Sequence, residues 1–277
     1  MKIAAVIVAF NPDPEELQAN INTVQGQVDE VVLVDNSPSE TRFDGVSEYI
    51  WFPENVGVGK GQNEGIAKAE ELGAEYVLLL DQDSHVCLNA VKYLSQALLS
   101  ANSVAAVGPV YRELNSGRLS GFFQLGFFGP KRIAGSSLYV GETVSTDFLI
   151  SAGTLLNLIA FRNVGKLRED FFIDYIDTEW CIRAVQSGYL LLGVGGELMQ
   201  HRIGDSQDEV GIGIRRTIPS YSKERTEHSL MNARRLINEE STPLNWKVYL
   251  SLRLVFMRLF RVKQSVCMFA KRTLPQS

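Results

Sequence analysis

Glu75-Tyr76-Val77-Leu78-Leu79-Leu80-Asp81-Gln82-Asp83-Ser84 reads as a buried strand that runs straight into two carboxylates. The apolar run is too short for a helix and has no polar face, as expected of a strand covered on both sides. The pattern repeats on either side of it. Upstream, Gly61–Leu72 reads as a helix, and Lys2–Phe10 is a second unbroken, valine-rich strand. Pro14–Val24 suits a helix capped by Asp13, with Leu17, Ile21 and Val24 on one face. Glu30–Asp35 is a strand that stops at Asp35-Asn36-Ser37-Pro38, and Tyr49–Phe52 is a short third one. Downstream, Leu88–Leu99 is again helical. Buried strands alternating with helices predict an α/β fold with a mostly parallel central sheet flanked by helices. In such sheets ligands bind beyond the carboxyl ends of the strands. Asn11, Asp35, Asn36, Asp81, Gln82 and Asp83 are therefore the first candidates for chemistry.

The second half is less regular. Ala105–Val110 and Tyr189–Val194 read as strands, and Asp177–Gln186 as a helix. Thr146–Ser151 and Thr154–Ala160 read as strands broken by Ala152-Gly153. Asn115–Gly135, rich in Gly, Phe and Ser, reads as a loop region, and Ile203–Lys223 as a mobile loop. No internal repeat and no low-complexity segment is seen.

The chain has 277 residues, 45% hydrophobic and 21% charged, ordinary for a globular protein that buries its own core. Asn11-Pro12-Asp13-Pro14-Glu15 follows the first apolar run with no small-residue cleavage site, so a strand is expected there rather than a leader peptide. No apolar run reaches the roughly 18 residues of a membrane span. Cys87, Cys181 and Cys267 are odd in number and in no metal-finger spacing. They predict reduced thiols, packed as small hydrophobes, in a cytoplasmic protein. The net charge is −5, but it is unevenly spread. Residues 241–277 hold seven basic residues and no acid, leaving 20 basic against 32 acidic residues in the first 240. The acidic body disfavours nucleic acid, and the basic end marks a partner. Trp246 to Arg261 mixes apolar and basic residues as an amphipathic helix would. Such a helix suits the surface of an anionic membrane, and equally a packing or homodimer face.

Five segments carry candidate chemistry. Asp81-Gln82-Asp83 can hold Mg²⁺ or Mn²⁺, which prefer oxygen ligands and keep substrate phosphates in their shell, or it can be a solvated turn. Asp35-Asn36-Ser37 can accept a pyrimidine ring N–H or form an Asx-turn. Glu54 to Gly65, with Asn55, Gly57, Lys60 and Asn63, can bring backbone and a helix N-terminus to a diphosphate, or simply cap the helix. Its spacing fits neither a Walker A loop nor a dinucleotide fingerprint. Phe172 to Arg183 sets Asp174, Asp177 and Glu179 at a helix start, suited to a general base or to capping. His201 is a structural histidine unless the Asp-x-Asp site needs a nitrogen ligand.

Taken together and in order, these segments resemble glycosyltransferase family 2, in its bacterial rhamnosyltransferase branch. The resemblance covers about residues 2 to 235. It rests on Val8-Ala9-Phe10-Asn11-Pro12, Val34-Asp35-Asn36-Ser37, Asn55-Val56-Gly57, Asn63-Glu64-Gly65, Asp81-Gln82-Asp83-Ser84, Ser151-Ala152-Gly153-Thr154, Phe172 to Trp180 and the His201 segment. Two stretches depart from the branch. Ile176 stands where many relatives have an acid, and Glu227 to Asn232 replaces a Tyr-Tyr-x-x-Arg-Asn segment. The resemblance implies a GT-A fold over 1–240, with a nucleotide-binding half at 1–100 and an acceptor and catalytic half at 101–240, then a basic helical extension at 241–277. It implies donor contacts from Ala9, Phe10, Asn11, Asp35, Asn36, Asn55, Gly57, Lys60, Asn63, Asp81 and Gln82. It implies a metal, Mg²⁺ or Mn²⁺, on Asp83 and His201, and Asp177 as the base. Gly153, Thr154, Glu179 and Trp180 would lie on the acceptor side. The implied reaction inverts the anomeric carbon of a nucleotide sugar, dTDP-β-L-rhamnose, on a hydroxyl of a bacterial cell-surface glycan precursor such as an O-antigen unit. Other donors stay open. A sugar-phosphate nucleotidyltransferase would carry a Gly- and Arg-rich loop where Asn11-Pro12-Asp13-Pro14 stands. A non-catalytic sugar-nucleotide-binding protein would be expected to lack Asp83 or Asp177.

Overall fold

The computed structural model describes residues 1–126, 129–202, 206–210, 216–220 and 222–255. The first half alternates as the pattern dictates. β1 (Ile3–Ala9), α1 (Pro14–Val24), β2 (Glu30–Asp35), β3 (Glu48–Trp51), α2 (Val58–Glu71), β4 (Tyr76–Asp81), β5 (His85–Val86) and α3 (Ala90–Leu98) follow in order. Asp13 caps α1 by accepting the backbone N–H of Glu15 and Glu16, and every residue of β1 is buried.

The second half supplies β6 (Val104–Glu113), β7 (Gly121–Gly126), β8 (Gly129–Ala134), β9 (Thr143–Thr146), β10 (Leu155–Asn157), α4 (Leu158–Val164), α5 (Ile176–Gln186) and β11 (Leu190–His201). Then come β12 (Ser206–Val210), β13 (Arg216–Ser220), α6 (Lys223–Asn238) and a helix over 244–255. The central sheet runs β3-β2-β1-β4-β10-β6-β11-β5, with β9 also on β11. β3, β2, β1 and β4 are mutually parallel, as are β6 and β11, while β10 runs antiparallel between β4 and β6. The core lies between this sheet and the helices, with Leu17, Ile21, Leu33, Leu78, Leu94 and Leu155 almost wholly buried.

Four expectations are corrected. Residues 115–135 are not all loop, because β7 and β8 form a two-stranded ribbon. Gly121 there is a close approach of two backbones: a Cβ on it would lie 2.4 Å from the Ile133 carbonyl oxygen. The strand expected at 146–151 is β9, ending at Thr146. Thr146 Oγ1 donates to the carbonyls of Phe123 and Phe148, which turns the chain out of the ladder. The strand expected through Ala160 stops at Asn157, whose side chain caps α4 by accepting from Ile159 and Ala160. The segment 203–223 contains β12 and β13, paired antiparallel.

The chain divides into two compact units, residues 1–124 with 131–203, and residues 125–130 with 204–277. The extension expected from 241 belongs to the second unit and is helical over 244–255; residues 256–277, with Cys267, lie outside the described residues. Cys87 and Cys181 are free thiols. Among the described residues no helix is long and apolar enough to cross a membrane.

Candidate functional site

The carboxyl ends of neighbouring parallel strands line up in register. Ala9 pairs with Asp35, Val8 with Asp81, and Asp35 with Trp51, so the ends of β1, β2, β3 and β4 share one edge of the sheet. β4 then turns sharply, with the Ser84 N–H donating to the Asp81 carbonyl at 3.1 Å. β5 pairs antiparallel with β11, His85 opposite Gln200. That pairing carries His201, 120 residues downstream of Asp81, onto the two carboxylates.

Asp81, Asp83 and His201 each offer one ligand atom, and these atoms lie within 4.8 Å of one another. His201 Nδ1 is 3.4 Å from Asp83 Oδ1 and 3.2 Å from the buried Ser84 hydroxyl, and Nε2 is 3.8 Å from Asp81 Oδ2. Tyr111 holds the imidazole edge-on. Burial works against a charged imidazole, but the hydrogen bond to Asp83 and the charges of Asp81 and Asp83 outweigh it and lift the His201 pKa. Two carboxylates held this close to each other and to an imidazole are a donor set fitted to a divalent cation.

Around this cluster the expected donor residues fall into two groups. Asp35, Asn36, Gln82 and Phe10 stand at or just past the strand ends: the Gln82 amide oxygen accepts the Phe10 N–H at 2.8 Å, and Phe10 is exposed. Asn11, at φ +44, is tied by its N–H to Ser37 Oγ. Lys60 stands over the Phe52 ring with its ammonium 5.8 Å from the centroid. Asn55 closes an Asx-turn on the Gly57 N–H. Asn63 is buried within the fold. Its amide donates to the Leu167 carbonyl and Glu169, and its oxygen accepts the Leu167 N–H.

The segment Phe172 to Tyr175 is strained, with positive φ at Phe172, Asp174 and Tyr175. It is fastened to the Gly57 loop by the Val58 N–H, which donates to the Phe172 carbonyl at 2.7 Å. α5 starts directly after it, and Asp177 sits in its first turn, half-buried. Its Oδ1 accepts the Thr178 N–H at 2.7 Å, and the Ser151 backbone also donates to its carboxylate. Asp177 lines a small, mostly apolar cavity of about 20 Å³ together with Leu79, Leu149, Trp180 and Cys181. Burial, helped by the charges of Asp174 and Asp81, pushes the Asp177 pKa up to about 6. That is the range of a general base working near neutrality.

The residues expected on the acceptor side each have a partner within the fold. Glu179 is buried and forms a bidentate pair with Arg183, which donates onward to the carbonyls of Val164 and Lys166. The Trp180 indole donates to the Gly165 carbonyl and stacks on Phe161. Thr154 Oγ1 donates to the Ile150 carbonyl, and the Gly153 N–H to Leu79. Sequence reasoning gave Ser84 and Tyr49 no role of their own. Ser84 was visible as the last residue of the Asp-x-Asp turn, and Tyr49 as the inward residue of a strand that ends beside Asp35.

The pattern of Glycosyl transferase family 2 matches residues 4–132. A dTDP-rhamnosyl transferase of Shigella flexneri, RfbF, is 33% identical over 250 residues, 87% of this chain and 82% of that one. The chain belongs to glycosyl transferase family 2. Its fold is shared by solved transferases of low identity. GalNAc-T7, solved with UDP, GalNAc and Mn²⁺, superposes with a TM-score of 0.60 at 14% identity, over 73% of this chain. This family 2 chain spans less than half of that protein, 44% of its length. The mannosyltransferase PcManGT from Pyrobaculum calidifontis, solved with GDP-Man and Mn²⁺, gives 0.59 at 14% identity, over 91% of this chain and 69% of that one. The fold is therefore GT-A, and the family 2 chain is a glycosyltransferase.

Proposed function

We propose that this transferase moves L-rhamnose from dTDP-β-L-rhamnose onto a hydroxyl of a bacterial cell-surface glycan precursor, with inversion at the anomeric carbon. The observation that carries the donor is the 33% identity to a dTDP-rhamnosyl transferase over 87% of the chain. The local geometry agrees with a single displacement. Asp35 and the edge of β1 and β2 take the nucleoside, and Lys60 with the Gly57 loop takes the diphosphate. Asp177 accepts the acceptor's proton as that oxygen attacks, and the bond from the anomeric carbon to the diphosphate breaks on the opposite face. Asp83 and His201, with Asp81 beside them, would hold Mg²⁺ or Mn²⁺, which when bound supplies a Lewis acid for charge gathering on the departing diphosphate. Ser84 holds the His201 ring in place for that task.

The test is a screen of nucleotide sugars for diphosphate release, with and without EDTA. Turnover of dTDP-rhamnose above the corresponding UDP- and GDP-sugars, lost in EDTA, restored by Mg²⁺ or Mn²⁺ and absent in Asp83→Ala, is expected. Full turnover in EDTA would sink the metal role, and preference for another donor would sink the rhamnose assignment.

A second proposal concerns where the enzyme works: at an anionic membrane surface on the cytoplasmic side, on lipid-linked acceptors. What supports it is the 244–255 helix. Trp246 and Leu250 are buried, yet Leu244, Val248, Leu252 and Val255 are each more than half exposed. The exposed four recur at helical spacing, and the segment they belong to, residues 241–277, carries seven cations and no acid.

A further inference from the structure

β3 is the edge strand of the parallel run, yet it carries one side chain aimed at a candidate ligand contact. Asp35 is 1% exposed, and its two oxygens are held from different sides. Oδ1 accepts the Ser37 N–H at 2.9 Å, closing an Asx-turn. Oδ2 accepts the Tyr49 hydroxyl at 2.8 Å. The Tyr49 oxygen itself accepts the Thr41 N–H at 3.2 Å, which directs its single proton at Asp35. Burial and the Asp35 carboxylate push the Tyr49 pKa up to about 12, so the phenol remains a donor at any working pH. Around them the turn is locked: the Trp51 indole donates to the Ser37 carbonyl at 2.9 Å, and the Asn11 N–H to Ser37 Oγ at 2.8 Å.

A carboxylate oxygen accepts about two hydrogen bonds. One position on each Asp35 oxygen is taken, so one on each is left, in a plane set by Tyr49 and Ser37. We propose that Tyr49 is a positioning residue for nucleobase recognition: its hydroxyl fixes the Asp35 carboxylate so that one of its remaining acceptor positions meets a pyrimidine ring N–H. This rests on the reading that Asp35 contacts the base. An acceptor-only group held in one plane favours thymine or uracil, which carry a proton on ring N3. It disfavours cytosine, which presents a lone pair there. Without the phenol the carboxylate keeps only the Ser37 N–H as its anchor, and selectivity falls along with affinity. Tyr49 acts through Asp35 and touches no reacting atom, so the rate constant of transfer is untouched.

The experiment is calorimetric titration of the full chain with dTDP and with CDP, in Mg²⁺, for wild type, Tyr49→Phe and Asp35→Asn, beside steady-state kinetics. Phenylalanine keeps the ring and removes the donor. Tyr49→Phe is expected to weaken dTDP binding about tenfold, as for a lost hydrogen bond to a charged group. The donor KM should rise by a similar factor while kcat stays within about twofold, and the dTDP-over-CDP preference should shrink. Equal weakening of dTDP and CDP, or a fall in kcat with KM unchanged, would make Tyr49 a structural residue only and overturn the proposal. Asp35→Asn separates the two layers. If it abolishes base preference and Tyr49→Phe does not, Tyr49 alone is misassigned. If Asp35→Asn leaves the preference intact, the underlying reading of Asp35 fails.

Discussion

Asp177 is pulled two ways by its surroundings. The first turn of α5 and two backbone N–H groups favour its charge, and the apolar wall behind it opposes that charge more strongly. A folded-state pKa raised from 3.8 to about 6 means the native protein holds this proton more tightly than the unfolded chain. The group's favourable contribution is thus complete below 3.8 and lost as pH rises through about 6. At neutral pH the ionised carboxylate costs the fold up to about 3 kcal/mol. Asp177→Asn should therefore melt higher than wild type at pH 7.5 and no higher at pH 4. It should keep donor binding and lose transfer by roughly a hundredfold or more. Wild-type kcat should fall as pH drops below about 6, measured by diphosphate release across pH. An active Asp177→Asn beside a dead Glu179→Gln with an unchanged melting point would reverse the assignment. At this scale the sequence was legible where a residue type has one use. Two carboxylates past a buried strand suggested a cluster, and the structure brings the ligand atoms of Asp81, Asp83 and His201 within 4.8 Å of one another. The residue types of Asn63, Glu179, Thr154 and Trp180 say less about what each one does. Amide, carboxylate, hydroxyl and indole staple backbone as readily as they bind ligand, and here each has a backbone or side-chain partner inside the fold.

Between elements, the Gly57 loop and the strained turn before α5 behave as one piece. Gly57, at φ +86, lies so close to Phe172 that a Cβ would sit 2.8 Å from the Phe172 carbonyl oxygen. The Val58 to Phe172 hydrogen bond closes the same contact, and Asn63 ties α2 to Leu167 from behind. The segment that would meet the diphosphate and the segment that aims Asp177 are thus fixed by one another. Gly57→Ala should cost about 2 kcal/mol or more of stability through strain and the clash, and it should raise the donor KM and lower kcat together. Gly73, at φ +83 with nothing within 4 Å, is the control. Gly73→Ala carries the backbone cost of about 1 kcal/mol alone and should leave kinetics unchanged. Identical kinetics for the two variants, followed with chemical denaturation for stability, would show that the two segments are not coupled. The sequence laid out β1 to β4 and α3, though not the two-residue β5, because period and burial agree there. It misread 115–135 because glycine marks a turn and a close approach of strands with the same letter. It misread 154–160 because an apolar run hid the Asn157 cap that divides strand from helix.

For the molecule as a whole, charge and exposed surface are what the proposed membrane partner rests on. The first 240 residues carry 12 more acids than bases, and the last 37 carry seven bases and no acid. Neutral bilayers offer such a segment no electrostatic attraction, whereas each Lys or Arg near an anionic one contributes about 1 kcal/mol. Leu244, Val248, Leu252 and Val255 add an apolar stripe on the exposed side of the 244–255 helix, opposite buried Trp246 and Leu250. This second face was not legible in the sequence, which shows only a broad apolar surface and not which side the fold uses. Replacing the outer face alone, Val248→Glu with Leu252→Glu, leaves Trp246 and Leu250 in place and lies far in sequence from Asp83 and Asp177. Wild type should sediment with vesicles rich in phosphatidylserine or phosphatidylglycerol and not with phosphatidylcholine vesicles. Binding should weaken as salt rises, because ions screen the attraction beyond about 10 Å at 0.1 M. The double variant should stay in the supernatant while turning over a soluble acceptor at the wild-type rate. Indifference of wild type to both vesicle types, with a concentration-dependent dimer that the double variant loses, would assign the stripe to a second copy of the chain instead.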